Sequence, residues 1–190
     1  GEKVIYIDPF KINAREKADI ILITHTHFDH LSGEDISKVV KTDTILLVPK
    51  DGKDKLSNIS ADITLVEPDK AYDVRGIKIE TVPAYNIGKQ FHPKAKGWVG
   101  YIVTVNGQRI YHAGDTDKIP EMDSLKNIDL ALLPVGGTYT MTGKEAADAA
   151  NEFRPKLAIP MHYGSIVGSI SDAEEFKENS DVRAVFLERE

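Results

Sequence analysis

The chain has 190 residues, of which 41% are hydrophobic and 28% charged, proportions that exclude disorder, collagen and simple coiled coils. With 24 basic and 30 acidic side chains the formal net charge is −6, unfavourable for holding a long stretch of nucleic acid, so no nucleic acid is expected as a partner. Cysteine is absent, which removes disulfides, zinc fingers, iron–sulfur clusters and thiol nucleophiles together; any metal must be held by nitrogen and oxygen ligands.

Val4-Ile5-Tyr6-Ile7 reads as a strand stopped by Asp8-Pro9, and Ile20-Ile21-Leu22-Ile23 as a strand buried on both faces. After a His-rich loop, Ser32 with Asp35 three residues on reads as a capping box opening a short helix to about Lys41. Strands are expected near 44–48, 63–66 and 77–82, then at 98–105 and 108–112, joined by the hairpin signal Asn106-Gly107. Strand 129–134 leads through a glycine loop to an Ala-rich helix capped by Thr142 and Glu145 and stopped by Pro155. Strand 157–161, a helix capped by Ser171 and Glu174, and strand 182–187 complete the pattern. No repeat or linker interrupts it, and the expectation is one α/β domain over 1–190 with mixed strand directions. No apolar run approaches the roughly 20 residues needed to cross a bilayer, and no signal peptide is visible, so a cytoplasmic location is expected. The chain opens on Gly1 rather than Met, which leaves room for a native segment before it. Oligomeric state is not legible.

Three of the six histidines fall within His25-Thr26-His27-Phe28-Asp29-His30, just past the buried strand. Clustered imidazoles and a carboxylate need a compensating role if buried, and a metal supplies one; the alternative is a solvated polar loop. Asp115 follows strand 108–112 in His112-Ala113-Gly114-Asp115-Thr116, and His162 follows strand 157–161 in Pro160-Met161-His162-Tyr163-Gly164. Ligand-type residues therefore lie beyond the ends of three strands, where layered α/β sheets carry function.

These motifs resemble the metallo-β-lactamase superfamily of metal-dependent hydrolases. Asp8-Pro9-Phe10 and Tyr111-His112-Ala113-Gly114-Asp115-Thr116 place the resemblance near ascorbate-6-phosphate lactonases and N-acylphosphatidylethanolamine phospholipase D. It runs from about Ile5 to His162 and implies a four-layer αββα sandwich with the metal site at one edge of the sheets. Family members usually carry a strand pair before the Asp8-Pro9 segment, absent or cut short here. The resemblance implies that His25 and His27 bind a first metal, Asp29, His30 and His162 a second, and that Asp115 bridges both. It implies one or two divalent ions, zinc first with manganese, iron or nickel as alternatives. A metal-bound hydroxide would attack a small ester, lactone or phosphoester, anionic substrates included, with Asp29 as the proton shuttle. Two other readings are a non-catalytic metal or ligand-binding module, and a phosphodiesterase or nuclease, although such nucleases usually carry an inserted domain.

The pattern departs from the family at Val82-Pro83-Ala84-Tyr85-Asn86, where a third histidine for the first metal is usual. Either Asn86 or Tyr85 supplies an oxygen, or His92 folds back, or the first site is weak, which predicts two unequal sites. His112 reads as a packed group orienting a ligand, and Tyr111 and Trp98 as structural. Gly136-Gly137-Thr138-Tyr139-Thr140-Met141 could hold an anion on its amides or be a turn with Met141 packed beneath. Lys94 and Lys96 could greet an anion or be solvated.

Overall fold

A computed structural model describes residues 2–13 and 16–187. Four parallel strands, β1 (Ile5–Ile7), β2 (Ile20–Leu22), β3 (Ile45–Pro49) and β4 (Asp62–Val66), form the first sheet in that order. The second sheet has six strands: β5 (Ala71–Val74), β6 (Ile77–Pro83), β7 (Val99–Val105), β8 (Gln108–His112), β9 (Leu130–Pro134) and β10 (Leu157–Met161). They lie side by side in chain order, with antiparallel pairing from β5 to β8 and parallel pairing from β8 to β10. The helices are α1 (Gly33–Val39), α2 (Gly143–Phe153) and α3 (Ile170–Asn179).

Side-chain alternation along the strands builds three apolar layers. Ile20 and Leu22 of β2 meet Ile79 of β6 and Val99, Tyr101 and Val103 of β7 between the sheets. Ile21 and Ile23 point the other way, onto Ile36 and Val39 of α1. On the far face of the second sheet, Ile102, Tyr111, Ala131 and Leu133 pack against the alanine face of α2 and Phe176 of α3. The order is therefore helix, sheet, sheet, helix, the four-layer αββα sandwich, and the continuous apolar run of β2 is explained by burial on both faces.

Local chemistry sets the ends of these elements. Ser32 Oγ accepts from the Asp35 amide at 3.2 Å, and Thr142 with Glu145 forms a full capping box. Asn106 and Gly107 both adopt positive φ, 51° and 77°, as a two-residue hairpin requires. Strand β5 was not expected; it pairs with β6 across a second such turn, Arg75-Gly76, with φ of 55° and 79°. An Arg-Gly pair is a weaker hairpin signal than Asn-Gly, which is why the sequence did not announce it.

Two expectations at the C-terminal end are corrected. Helix α3 is capped by Ser169 and Asp172 rather than Ser171 and Glu174: the Ser169 amide donates to Asp172 Oδ2 at 2.7 Å, directly after Gly168 turns the chain at φ 67°. Strand 182–187 does not form; a single parallel bridge joins Ala158 and Ala184. The Ala158 amide donates to Arg183 O and its carbonyl accepts from the Val185 amide. The next donor on that edge would be residue 160, a proline with no N–H, so the ladder ends after one rung.

Candidate metal centre

The strands β2, β6, β8 and β10 all end on one edge of the sandwich, and each is followed there by a loop carrying ligand-type residues. Asp115, buried at 4% exposure, stands at the centre. Its carboxylate oxygens lie 3.2 Å from His162 Nε2, 3.4 Å from His92 Nε2, 3.5 Å from His30 Nε2 and 3.9 Å from His25 Nε2. Two groups on either side of it could each hold a cation: His25, His27 and His92, and Asp29, His30 and His162, with the ligand atoms of each within 4.8 Å of one another. All six candidate residues from the motifs, His25, His27, Asp29, His30, Asp115 and His162, are thus brought together.

The chain reaches this geometry at a conformational cost. Gly114 adopts φ 67° between β8 and Asp115, and a Cβ there would stand 3.0 Å from Thr24 Cβ, so only glycine turns here comfortably. His162 itself sits at φ 59°, left-handed for a side chain that rarely adopts it, as functional positions often do.

For His25, His30 and His92 the ring nitrogen facing away from Asp115 has its own partner, whereas His162 Nδ1 is buried without a hydrogen-bond partner. His25 Nδ1 is 2.9 Å from Thr24 Oγ1, and His30 Nδ1 is 2.7 Å from Asp8 Oδ2. Asp8 also accepts from the Thr24 amide and hydroxyl, at 2.8 and 2.5 Å, so one carboxylate secures both β2 and His30. His92 Nδ1 is 3.1 Å from Asn86 Oδ1 and 3.2 Å from Tyr139 O. Holding Nδ1 in this way selects the tautomer whose Nε2 lone pair faces the centre, the usual arrangement behind metal-binding imidazoles.

His92 takes the place left open by the missing histidine. Tyr85 turns away to donate its hydroxyl to Glu121 at 2.9 Å, and Asn86 is occupied in holding His92. A buried network folds the intervening loop. Asn86 Nδ2 donates to Asp117 Oδ1 at 3.1 Å and Tyr139 O at 2.9 Å, and the Ile87 amide donates to Asp117 Oδ2 at 2.8 Å. Lys89 Nζ adds bonds to Asp117 Oδ1 at 2.7 Å and Thr140 O at 2.6 Å. Three ligand-type residues thus stand on each side of Asp115. Sequence reasoning did not commit Asp8 or His92 to the centre, nor foresee the roles of Asn86, Lys89 and Asp117. Asp8 was visible as a strand stop and as part of the Asp8-Pro9-Phe10 motif but was given no role at the centre, and His92 was one alternative among three.

The charges fit a cation. Burial by itself would raise the Asp115 carboxyl, yet His30, with His162 and His92, holds it well below the usual carboxylate range. Burial lowers His25 and His27, as expected of imidazoles kept neutral. Burial opposes protonation of His162 too, but Asp115 and Asp29 outweigh it and push the group up to about 10. Among the described residues, His92 Nε2 and Asp115 Oδ1 are buried without a hydrogen-bond partner although both face the centre. Such orphaned atoms are costly unless something absent from the protein satisfies them, and an all-nitrogen and oxygen donor set suits a first-row divalent cation.

The surrounding residues resolve the remaining alternatives. Trp98 is buried with its ring 4.9–5.7 Å from those of His25, His27 and His92, and its indole N–H donates to Asp51, so it walls the centre. The 136–141 segment is a packed turn over a fully buried Met141, with the Gly137 amide donating to Met141 O and the Thr138 amide to Gly136 O. Lys94 pairs with Glu121 at 2.7 Å, and Lys96 lies 3.8 Å from Asp51. His112 Nδ1 accepts from the Gly114 amide at 3.2 Å, steadying the turn into Asp115. Among the described residues no helix is long and apolar enough to cross a membrane.

Comparison with known proteins agrees with this geometry. Residues 1–162 match the family model described as β-lactamase superfamily domain. A UPF0173 metal-dependent hydrolase of Thermococcus onnurineus is 36% identical over 93% of this chain and 84% of its own length. One from Thermoplasma acidophilum is 32% identical over 93% of this chain and 83% of its own length. A crystallised protein of Parabacteroides distasonis, assigned as a metal-dependent hydrolase, superposes with a TM-score of 0.85 at 38% identity, over 98% of this chain and 85% of that one. Igni18, a metallo hydrolase from Ignicoccus hospitalis, shares the fold, with a TM-score of 0.71 at 24% identity over 90% of this chain and 77% of that one. A buried carboxylate ringed by four imidazoles at the edge of an αββα sandwich, together with these likenesses, places the chain in the metallo-β-lactamase superfamily, as a metal-dependent hydrolase.

Proposed function

We propose that this single domain hydrolyses a small ester, lactone or phosphoester with two divalent cations, zinc first among them, held on either side of Asp115. His25, His27 and His92 would hold one, Asp29, His30 and His162 the other, and Asp115 would contact both. Cations so held supply Lewis acidity: they lower the pKa of a coordinated water from 15.7 to about 7 and polarise the electrophilic oxygen. The protein's part is to fix the ligands, exclude bulk water and move the proton. Asp29 is the proposed shuttle: its side chain is 13% exposed, it lies 3.8 Å from His162 Nε2, and it borders both clefts beside the centre. The observation that carries the reading is Asp115, buried among four imidazoles with one oxygen unpartnered. The non-catalytic alternative drew its support from the missing histidine, and His92 at 3.4 Å from Asp115 takes that support away. A cytoplasmic location remains part of the proposal.

The test is metal content by elemental analysis together with turnover of ester, lactone and phosphodiester panels. Chelation should abolish activity and cation return restore it, while Asp115→Ala or His27→Ala should lose metal and turnover together. A metal-free wild-type protein of full activity would refute the reading.

A further inference from the structure

Two clefts border the centre, of about 210 and 230 Å³, and share Asp29, Asp115, His162 and Ile166. The second is walled by Phe28, Phe91 and Ile166, which come from three separate loops, after β2, β6 and β10. Their exposures are 69%, 45% and 45%, and they are three of only seven large hydrophobic side chains exposed among the described residues. Leaving such surface in water is unfavourable, so its concentration at the mouth of one cleft marks a binding surface. The rings are braced rather than loose: Phe91 meets Tyr139 edge-to-face at 4.7 Å, and Phe28 meets Phe10 at 5.9 Å. No Lys or Arg lines either cleft among the described residues. Beside the second cleft the cations nearest Phe91 in sequence are engaged elsewhere, Lys89 with Asp117 and Lys94 with Glu121, while Lys11 Nζ lies 5.1 Å over the Phe10 ring that borders the first.

We propose that the substrate is an uncharged ester or lactone whose alkyl or aryl group seats against Phe28, Phe91 and Ile166, rather than a phosphorylated metabolite. A phosphoester dianion would call for cationic side chains beside the metal ligands, and this cleft instead offers apolar area. The reaction is plain hydrolysis: the water oxygen bonds to the acyl carbon, the acyl C–O bond breaks, and the water proton ends on the departing alcohol or, in a lactone, on the released hydroxyl. The substrate class rests on the hydrolase reading above; the apolar seat does not.

The two are separable because Trp98 is the only tryptophan and its ring lies 4.9 Å from that of His27 and 5.7 Å from that of His92. Quenching of its fluorescence by inert nitroaromatic ethers reports binding without turnover. Burying two of the five methylenes that separate 4-nitrophenyl hexyl ether from the methyl ether gives about a tenfold gain in affinity. The Phe28→Ser/Phe91→Ser protein should reduce that ratio to about twofold, whereas Leu65→Ser, an exposed apolar site on β4, should leave it intact. Equal affinity for the two ethers, or a ratio that survives the double substitution, overturns the apolar seat. In the metal-loaded protein, 4-nitrophenyl hexanoate should be cleaved faster than the acetate; faster cleavage of 4-nitrophenyl phosphate, a dianion, or of bis(4-nitrophenyl) phosphate than of the hexanoate overturns the substrate class. Ether discrimination with no turnover of any ester or phosphate would keep the seat and sink the hydrolase reading.

Discussion

Asn86 makes a sharp test of how the loop after β6 delivers His92. Its side chain is buried, and its Oδ1 accepts from the His92 amide at 3.0 Å and lies 3.1 Å from His92 Nδ1. Asn86→Ala removes both bonds and also strips Asp117 and Tyr139 of a donor. Asp117 keeps Lys89 and the Ile87 amide, and Tyr139 O keeps His92 Nδ1, so the loss falls on the buried His92 amide, and the metal-free fold should lose about 1–3 kcal/mol in urea titrations. Loss of a partner behind a ligating imidazole typically weakens metal binding by about 10–100-fold. Tyr139 O, at 3.2 Å from His92 Nδ1, remains as a second acceptor, so the lower end, about tenfold or about 1.4 kcal/mol, is expected. Competition with a chromophoric chelator measures this directly, and the cycle with His92→Ala locates its origin. If Asn86 acts through His92, the double variant binds metal no more weakly than His92→Ala alone. Unchanged affinity in Asn86→Ala, or full additivity in the cycle, would refute the reasoning.

On the opposite side of Asp115, Asp8→Asn should weaken metal binding by about 10–100-fold, because Asp8 holds His30 Nδ1 at 2.7 Å; isothermal titration showing two wild-type equivalents would contradict this. Removing metal should lower thermal stability: a cation present at a thousandfold its Kd contributes about 4 kcal/mol, or roughly 8–16 °C in a chain this size. Calorimetry with and without chelator reads the shift, and coincident melting curves would count against a metal bound to the folded state. Asp35 sets an acid limit. Burial would raise its carboxyl, but hydrogen bonds from Lys38, Ser32 and the Lys11 and Ile12 amides hold it at about 2. A folded pKa below the unfolded one adds stability that is full above about pH 4 and lost as pH falls toward 2. With Lys38 41% exposed, that contribution is about 1–2 kcal/mol. Asp35→Asn should flatten the stability profile between pH 4 and 2, and an unchanged acid slope would rule the linkage out.

Local signals were enough for the scaffold and for most of the centre. Alternation, continuous apolar runs, capping boxes and Asn106-Gly107 act over a few residues, so they identify β2, α1, α2 and the β7–β8 hairpin without knowledge of the rest of the chain. Where such signals were weak or overruled, the reading failed. The Arg75-Gly76 turn hid β5, Gly168 moved the cap of α3, and Pro160 stopped pairing beyond Ala158. Six candidate ligands were legible because strand ends announce where their loops begin. Whether those ends meet is another matter: His92 reaches Asp115 because Lys89 and Asn86 bind Asp117, some 30 residues away. Asp8 likewise reaches His30 across the β1–β2 edge, and Phe28, Phe91 and Ile166 share a cleft only after the ends of β2, β6 and β10, from two different sheets, have been brought to one edge. Spacing along a chain records which side chains stand at an element's end. Convergence is decided by packing between residues far apart in sequence, and so belongs to the tertiary structure alone.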